Sequence, residues 1–198
     1  MSLVENVMVV SAETLRGAYE LSRGLNMIGD DMFEFLLNNH SFMLREDAER
    51  DPSFKQIIPY VTVRHGDMWL MFHRKAAQTE VRLHNMYSLG LGGHINDEGQ
   101  DADNPIMSGL YKELGEEIAL TGHSVPRYIG VINDDETEVG RVHLGLMFEL
   151  HAASVGFTLP EAHKMSAQWV AEKDLRGYYP QMETWSQLIL DAWPGACL

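Results

Sequence analysis

The sequence predicts an α/β fold in which a mixed sheet is covered by helices on both faces. Three observations carry that expectation. Apolar, strand-like runs dominate residues 57–92, one amphipathic helix stands in the middle of the chain at about 105–119, and two more strand-like runs precede a closing helix near 180–192. There are no internal repeats and no low-complexity segments. The expected organisation is a small N-terminal extension, residues 1–54, packed on a main domain, residues 55–198.

Taken in order, Glu5 to Val10 predicts a first strand and Asp30 to Asn39 a helical stretch, and the charged passage REDAERDPS closes the extension. Strands follow at 57–64 and 67–73, joined by His65-Gly66-Asp67, a connection short enough for a hairpin. Another strand is expected at 86–92. In the central helix Met107, Leu110, Leu114 and Ile118 recur at helical spacing and form the core-facing stripe. Pro105 suits the first turn, where its missing N–H costs nothing, and Gly122 is placed for a helix exit. Strands at 126–132 and 141–150 are separated by the acidic connection Asn133 to Gly140, and a short strand at 168–171 precedes the last helix.

Composition narrows the function. A chain of 198 residues, 45% hydrophobic and 22% charged, can bury one substantial core. Fifteen Lys and Arg against 29 Asp and Glu give a net charge of −14, which disfavours nucleic acid and anionic membrane surfaces as partners. The single cysteine, Cys197, cannot form an internal disulfide, and the opening MSLVENVMVVSAETL has neither a basic segment nor a long apolar one that would make a signal peptide. No apolar run approaches the ~20 residues needed to span a bilayer. The expected location is cytoplasmic.

The chemistry is concentrated between Gly90 and Leu120. A glycine-rich strand end, GLGGHI, is followed within about one helix length by Glu113, Glu116 and Glu117. Offsets of three and four residues place these carboxylates on one helix face. Alone, they would also fit a solvated face. Glu113 and Glu117 form a like-charge i,i+4 pair that costs a few tenths of a kcal/mol on a plain helix and is better explained by a cation between them. Hard cations such as Mg²⁺ prefer oxygen ligands of this kind, and a diphosphate needs its charge neutralised before water can attack phosphorus.

KELGEEIAL following GLGGHI resembles the Nudix box, G-x5-E-x7-R-E-U-x-E-E-x-G-U, through Glu113, Leu114, Glu116, Glu117 and Leu120. Lys112 stands where arginine is usual, Ala119 where glycine is usual, and Asn104 where the first glutamate is usual. From Gly93 to Lys112 is 19 positions, so Asn96 to Asn104 reads as an insertion, within which Asp101 or Asp103 could replace the lost glutamate. KQIIPYVTV, YSLGLGGHIN, IGVINDD and VGRVHLGLMFEL, in that order, resemble a bacterial Nudix subgroup known only as predicted phosphoesterases, and the likeness runs from about residue 45 onward.

The resemblance implies the Nudix α/β/α sandwich and a Mg²⁺-dependent hydrolase, with Mn²⁺ as an alternative ion, acting on a nucleoside diphosphate linked to another group or on a related phosphoanhydride. By the same resemblance the metal ligands are Glu113, Glu116, Glu117 and the backbone carbonyl of Gly93 or its neighbour Gly92, and the catalytic set is Glu113, Glu116 and Lys112, with Lys112 orienting a glutamate. Lysine lacks the bidentate fork of arginine, so a lower rate or looser metal geometry is expected. The rival from another class is a non-catalytic Nudix-fold binding module. A diphosphate isomerase is disfavoured because Cys197 is far from the box in sequence, and a decapping role by the acidic balance. The expected partner is a small-molecule phosphoanhydride, and a homodimer is left open.

Outside the box, His94 could touch a phosphate, transfer protons near neutral pH, or only hold its loop. His143, in an alternating strand, reads as a sheet histidine before a catalyst. Asp134, Asp135 and Glu136 suit a solvated loop, with a general base as the alternative. Arg64, Arg74, Lys75 and Arg82 could meet phosphates, and Trp69, Tyr87 or Trp169 could stack a base, although core packing and surface charge are the simpler roles for each. NDEGQDAD does not fit EF-hand spacing.

Overall fold

The computed structural model describes residues 5–75, 85–97 and 104–193. Its chain contacts gather into two compact units: unit 1 comprises residues 1–60, 92–112 and 128–147, and unit 2 residues 61–91, 113–127 and 148–198. The expected boundary near residue 54 falls inside unit 1.

Unit 1 begins with β1 (Asn6–Ser11), α1 (Ala12–Ala18), β2 (Gly24–Asn26), α2 (Asp30–Asn39), β3 (His40–Leu44) and α3 (Arg45–Ala48). Ser11 caps α1 by accepting from the Thr14 backbone N–H, which is why a four-residue valine and methionine run turns directly into helix. The first half of β4 (Phe54–His65) follows, then the start of the central helix α4 (Pro105–Glu117), β9 (Arg127–Asn133), the short α5 (Glu138–Arg141) and the first half of β10 (His143–His151). β1 pairs antiparallel with both β3 and β4, and β2 with β9. Val7 and Val9 of β1 pack with Ala48, Met43 and Phe54. Their burial explains why the extension is ordered.

Unit 2 holds the second half of β4, β5 (Met68–Arg74), β6 (Tyr87–Ser88), most of β7 (Gly90–Gly92), the end of α4, β8 (Ala119–Leu120), β11 (Phe157–Thr158), β12 (Met165–Ala171), a 3-10 helical segment over Glu172–Gln181, and α6 (Thr184–Ala192). β5 pairs antiparallel with β4 through Arg64↔Trp69, and with β12 over seven residues from Arg74↔Met165 to Met68↔Ala171. Gly66, at φ +61°, makes the tight reversal between β4 and β5. Trp69, Leu70, Met71 and Phe72 are all essentially unexposed, so β5 is buried on both faces.

The sheet is mixed, as the sequence predicts. In unit 1 the Gln56 N–H donates to the Val142 carbonyl, and in unit 2 the Ala152 N–H donates to the Arg64 carbonyl, so register advances in the same direction along β4 and β10 and they run parallel. β4 with β5 is antiparallel.

Several expectations shift. The strand expected at 86–92 is two short strands, and the one at 168–171 begins earlier, at Met165. α4 ends at Glu117, so Gly122, at φ +82°, serves the turn after β8 and not a helix exit. The closing helix is α6 alone, and the stretch before it is 3-10 because Pro180 interrupts it. The elements absent from the sequence expectation are α1, β2, β3, α3, β8, α5 and β11, each at most seven residues long, and the ten-residue 3-10 segment Glu172–Gln181. Among the described residues no helix is long and apolar enough to cross a membrane.

Candidate active site

The end of α4 concentrates negative charge. Leu114 and Ile118 are buried, which sets the rest of the last turn: Glu113 and Glu117, flanking them, are half-buried and Glu116, on the far side, is exposed. Glu117 is the final residue of α4, where the helix presents unsatisfied carbonyls and the negative end of its dipole. No basic residue lies in that turn. Glu117 Oε2 is buried and has no hydrogen-bond partner. Burial pushes the Glu117 carboxyl up to about 7, Arg74 opposes that rise, and Glu113, Glu161 and Glu116 add to it. A carboxylate so placed is short of positive charge.

Glu161, which the sequence reading does not single out, adds its negative charge to those acting on Glu117. It lies in unit 2 on the turn before β12, with its carboxylate 2.6 Å from Lys164 Nζ. The turn is fixed to the end of β5, since the Lys75 N–H donates to the Lys164 carbonyl and Lys75 Nζ to the Ala162 carbonyl. A lone glutamate more than 40 positions from the box carries no local signal. Only the β5–β12 pairing connects it to Arg74.

The donor set fits a hard divalent cation in chemistry: carboxylate oxygens, one of them orphaned and buried. Among the described residues no three His, Cys, Asp or Glu side chains converge closely enough to enclose an ion by themselves. Mg²⁺ ordinarily keeps several waters and takes substrate phosphate oxygens as ligands, so a partial protein shell suits it.

In unit 1, Gly92 is required by packing: a Cβ there would meet the Pro59 carbonyl at 2.6 Å. Gly93 is half-buried beside it. His94 sits in surroundings that favour a neutral imidazole. Burial, with Arg45 and His143 adding to it, pushes its imidazole down to about 3, and Nε2 is buried without a hydrogen-bond partner. His143 Nδ1–H donates to the Val139 carbonyl at 2.7 Å, which ties the start of β10 to α5. Lys112 is exposed and makes no hydrogen bond or ion pair among the described residues.

In the acidic connection after β9, also in unit 1, Asp135 and Glu136 are exposed as a solvated loop would have them, and Asp134 is not. Asp134 is buried, and its oxygens accept from Arg23 Nε at 2.8 Å and from the Thr137 hydroxyl at 2.9 Å. Asp135 takes the buried Lys55 Nζ at 2.7 Å and Asn133 Nδ2 at 3.0 Å. Glu136 pairs with Arg23 at 3.2 Å. Burial raises the Asp135 carboxyl, but its bonds to Lys55 and Asn133 outweigh this and leave it below the usual carboxylate range. Each of these carboxylates has a basic partner.

The remaining candidates are mostly structural. In unit 2 the Arg64 guanidinium lies over the rings of Trp69 and Trp193, 4.9 Å and 5.3 Å from their centroids, and pairs with Glu149 at 3.4 Å and Glu172 at 2.8 Å. Trp69 is fully buried. Trp169 Nε1 donates to the Val155 carbonyl. Tyr87 stays half-buried, its ring 4.7 Å from that of His73. Arg82, Asp101, Asp103, Cys197 and most of the Asn96 to Asn104 insertion lie outside the described residues.

No family model matches the chain. Protein YmaB of Bacillus subtilis (strain 168) is 36% identical over 156 residues, covering 75% of this chain and 76% of that protein. The crystal structure of Tm1382, a candidate Nudix hydrolase, aligns with a TM-score of 0.81 at 30% identity, over 93% of this chain and 95% of that one. The chain belongs to the Nudix hydrolase family. Membership accounts for the order of β4, the glycine-rich strand end and α4, and it directs attention to the α4 glutamates of this Nudix chain over its equally acidic 134–136 loop.

Proposed function

We propose that this Nudix protein is a Mg²⁺-dependent hydrolase of a small phosphoanhydride, a nucleoside diphosphate linked to another group being the leading class. The observation that carries the proposal is Glu117: a buried, unpartnered carboxylate oxygen at a helix C-terminus, among like charges, that a divalent cation would neutralise. Glu113, Glu116 and Glu117 would hold the ion. When bound, Mg²⁺ shields phosphate charge and lowers the pKa of coordinated water. The chain's own contribution is to retain the ion through acidic oxygens and to fix Glu117 by the packing of Leu114 and Ile118. Acidic composition and a single cysteine support action on a small molecule in the cytoplasm.

A second proposal, a non-catalytic Nudix-fold binding module, is favoured by Lys112, which stands at the box cation's position yet is exposed and makes no ion pair among the described residues. Release of phosphate or nucleoside monophosphate from NDP-sugars, dinucleoside polyphosphates, NADH, ADP-ribose and NTPs with excess Mg²⁺, run beside Glu116→Gln and Glu117→Gln, separates the two. Turnover abolished by both substitutions supports the hydrolase. Mg²⁺ binding without turnover of any compound supports the binding module.

A further inference from the structure

We propose that β3 is the surface through which two copies of this chain associate, pairing antiparallel with β3 of the second copy about a twofold axis at Phe42. The proposal lies wholly within unit 1 and is independent of the proposed activity.

Among the described residues β3 pairs with β1 alone, over all five of its residues from Leu44↔Asn6 to His40↔Val10. One of its faces is packed, with Met43 against Val7, Val9 and Ala48. The opposite face is left partly open. Directly opposed residues of an antiparallel pair share a face, so Phe42 stands beside Met8 and His40 beside Val10, and Met8 and Val10 are fully buried. Phe42 and Leu44 on that same face are 36% and 42% exposed. The cover that closes over β1 therefore stops short of β3. Where the solvated side of an antiparallel sheet ordinarily turns polar, this strand carries a phenylalanine and a leucine. It also lacks the usual guards of a free edge. HSFML contains no lysine, arginine, acid or proline, and its register with β1 is unbroken by a bulge.

Charge selects a second copy as the occupant. The chain carries −14 overall, so two copies repel wherever their acidic surfaces meet, and β3 is a stretch where they do not. Pairing centred on Phe42 puts that residue opposite its own counterpart, Met43 opposite Ser41 and Leu44 opposite His40. The flanking Arg45 and Glu46 come opposite Asn39 and Asn38, so no like charges face each other. Such a pairing is self-complementary and uses β3 of both copies at once, so it stops at two. Five residues a side fall short of the ~800 Å² per partner of a stable interface, and a weak, reversible dimer with a Kd on the order of 10–100 μM is expected.

Analytical ultracentrifugation of the full chain from about 1 to 500 μM is the direct test. The weight-average mass should climb from one chain toward two, and Phe42→Lys, which places a charge on the edge, should hold it at one chain throughout. A second measurement does not depend on how that variant folds. Directly opposed residues of antiparallel strands have Cα atoms roughly 4.5–5.5 Å apart, within disulfide reach. In a Cys197→Ser background, two thiols introduced by Phe42→Cys meet inside a formed dimer, so mild oxidation should cross-link them roughly tenfold faster or more than those of Val125→Cys. Position 125 is the control because it is 75% exposed. A single chain's mass at every concentration, a dimer undiminished in Phe42→Lys, or cross-linking of Phe42→Cys no faster than that of Val125→Cys would each overturn the proposal.

Discussion

Two acidic clusters in this chain look alike in sequence and differ in electrostatics. Asp134, Asp135 and Glu136 follow β9, and each has a cation: Arg23 for the first and third, the buried Lys55 for the second. Glu113, Glu116 and Glu117 end α4, and there burial, the helix terminus and three neighbouring carboxylates act on Glu117 in the same direction, against Arg74 alone. The first cluster is lowered at Asp135 and the second raised at Glu117. A cluster whose charge is already balanced holds a loop together. One with charge in deficit has work left for a metal ion.

The contrast is broken most severely at Glu117 and Glu116. Changing either to Gln should lower kcat/KM by at least ~10²-fold, several kcal/mol of transition-state stabilisation, because the ion loses a charged ligand. Stability of the metal-free protein should not fall in step. Lys55→Met should do the reverse. It deprives Asp135 and the Gly140 carbonyl of a buried donor, so a loss of about 2 kcal/mol is expected. That would lower Tm by roughly 4–8 °C for a chain of this size, with kcat/KM at low temperature little changed. Calorimetry and initial rates on the same samples would measure both.

The pH dependence sharpens the comparison further. A carboxyl whose folded pKa is raised contributes stability that is complete below its unfolded value and is lost as pH rises through the folded value. Metal-free protein should therefore lose stability between about pH 4.5 and 7, and Glu117→Gln should flatten that part of the profile. His94 works in the opposite sense. Its folded pKa lies near 3, below the ordinary 6.5, so stability present above pH 6.5 is lost as pH falls, and His94→Gln should make that acid loss shallower. The smallest effect belongs to Lys112→Gln. An exposed lysine that makes no ion pair among the described residues should change stability by less than ~0.5 kcal/mol.

Much of this was legible in the sequence, and the reasons are physical. α2 and α4 are long and amphipathic, and their starts, Asp30 and Pro105, agree with the expectation to the residue. β4, β5, β9 and β10 were found from apolar runs that a buried sheet requires. The shortest elements were missed because two to seven residues carry too little periodicity, and the ten-residue 3-10 segment Glu172–Gln181 because its pattern is not that of an α-helix. At the site, the glutamate spacing could be read locally. The charges of Arg74 and Glu161 that act on Glu117 could not, since the β5–β12 pairing that aligns Arg74 with Met165 joins residues 91 positions apart. The partners of the 134–136 acids were out of reach for the same reason: Lys55 lies 80 positions before Asp135 and Arg23 111 positions before Asp134.

The most direct test of the central claim is a calorimetric Mg²⁺ titration of the unaltered protein, Glu117→Gln and Asp135→Asn under identical conditions. The account predicts binding by the unaltered protein, affinity reduced tenfold or more in Glu117→Gln, and no change in Asp135→Asn. Undiminished binding by Glu117→Gln, or its loss in Asp135→Asn, would contradict it.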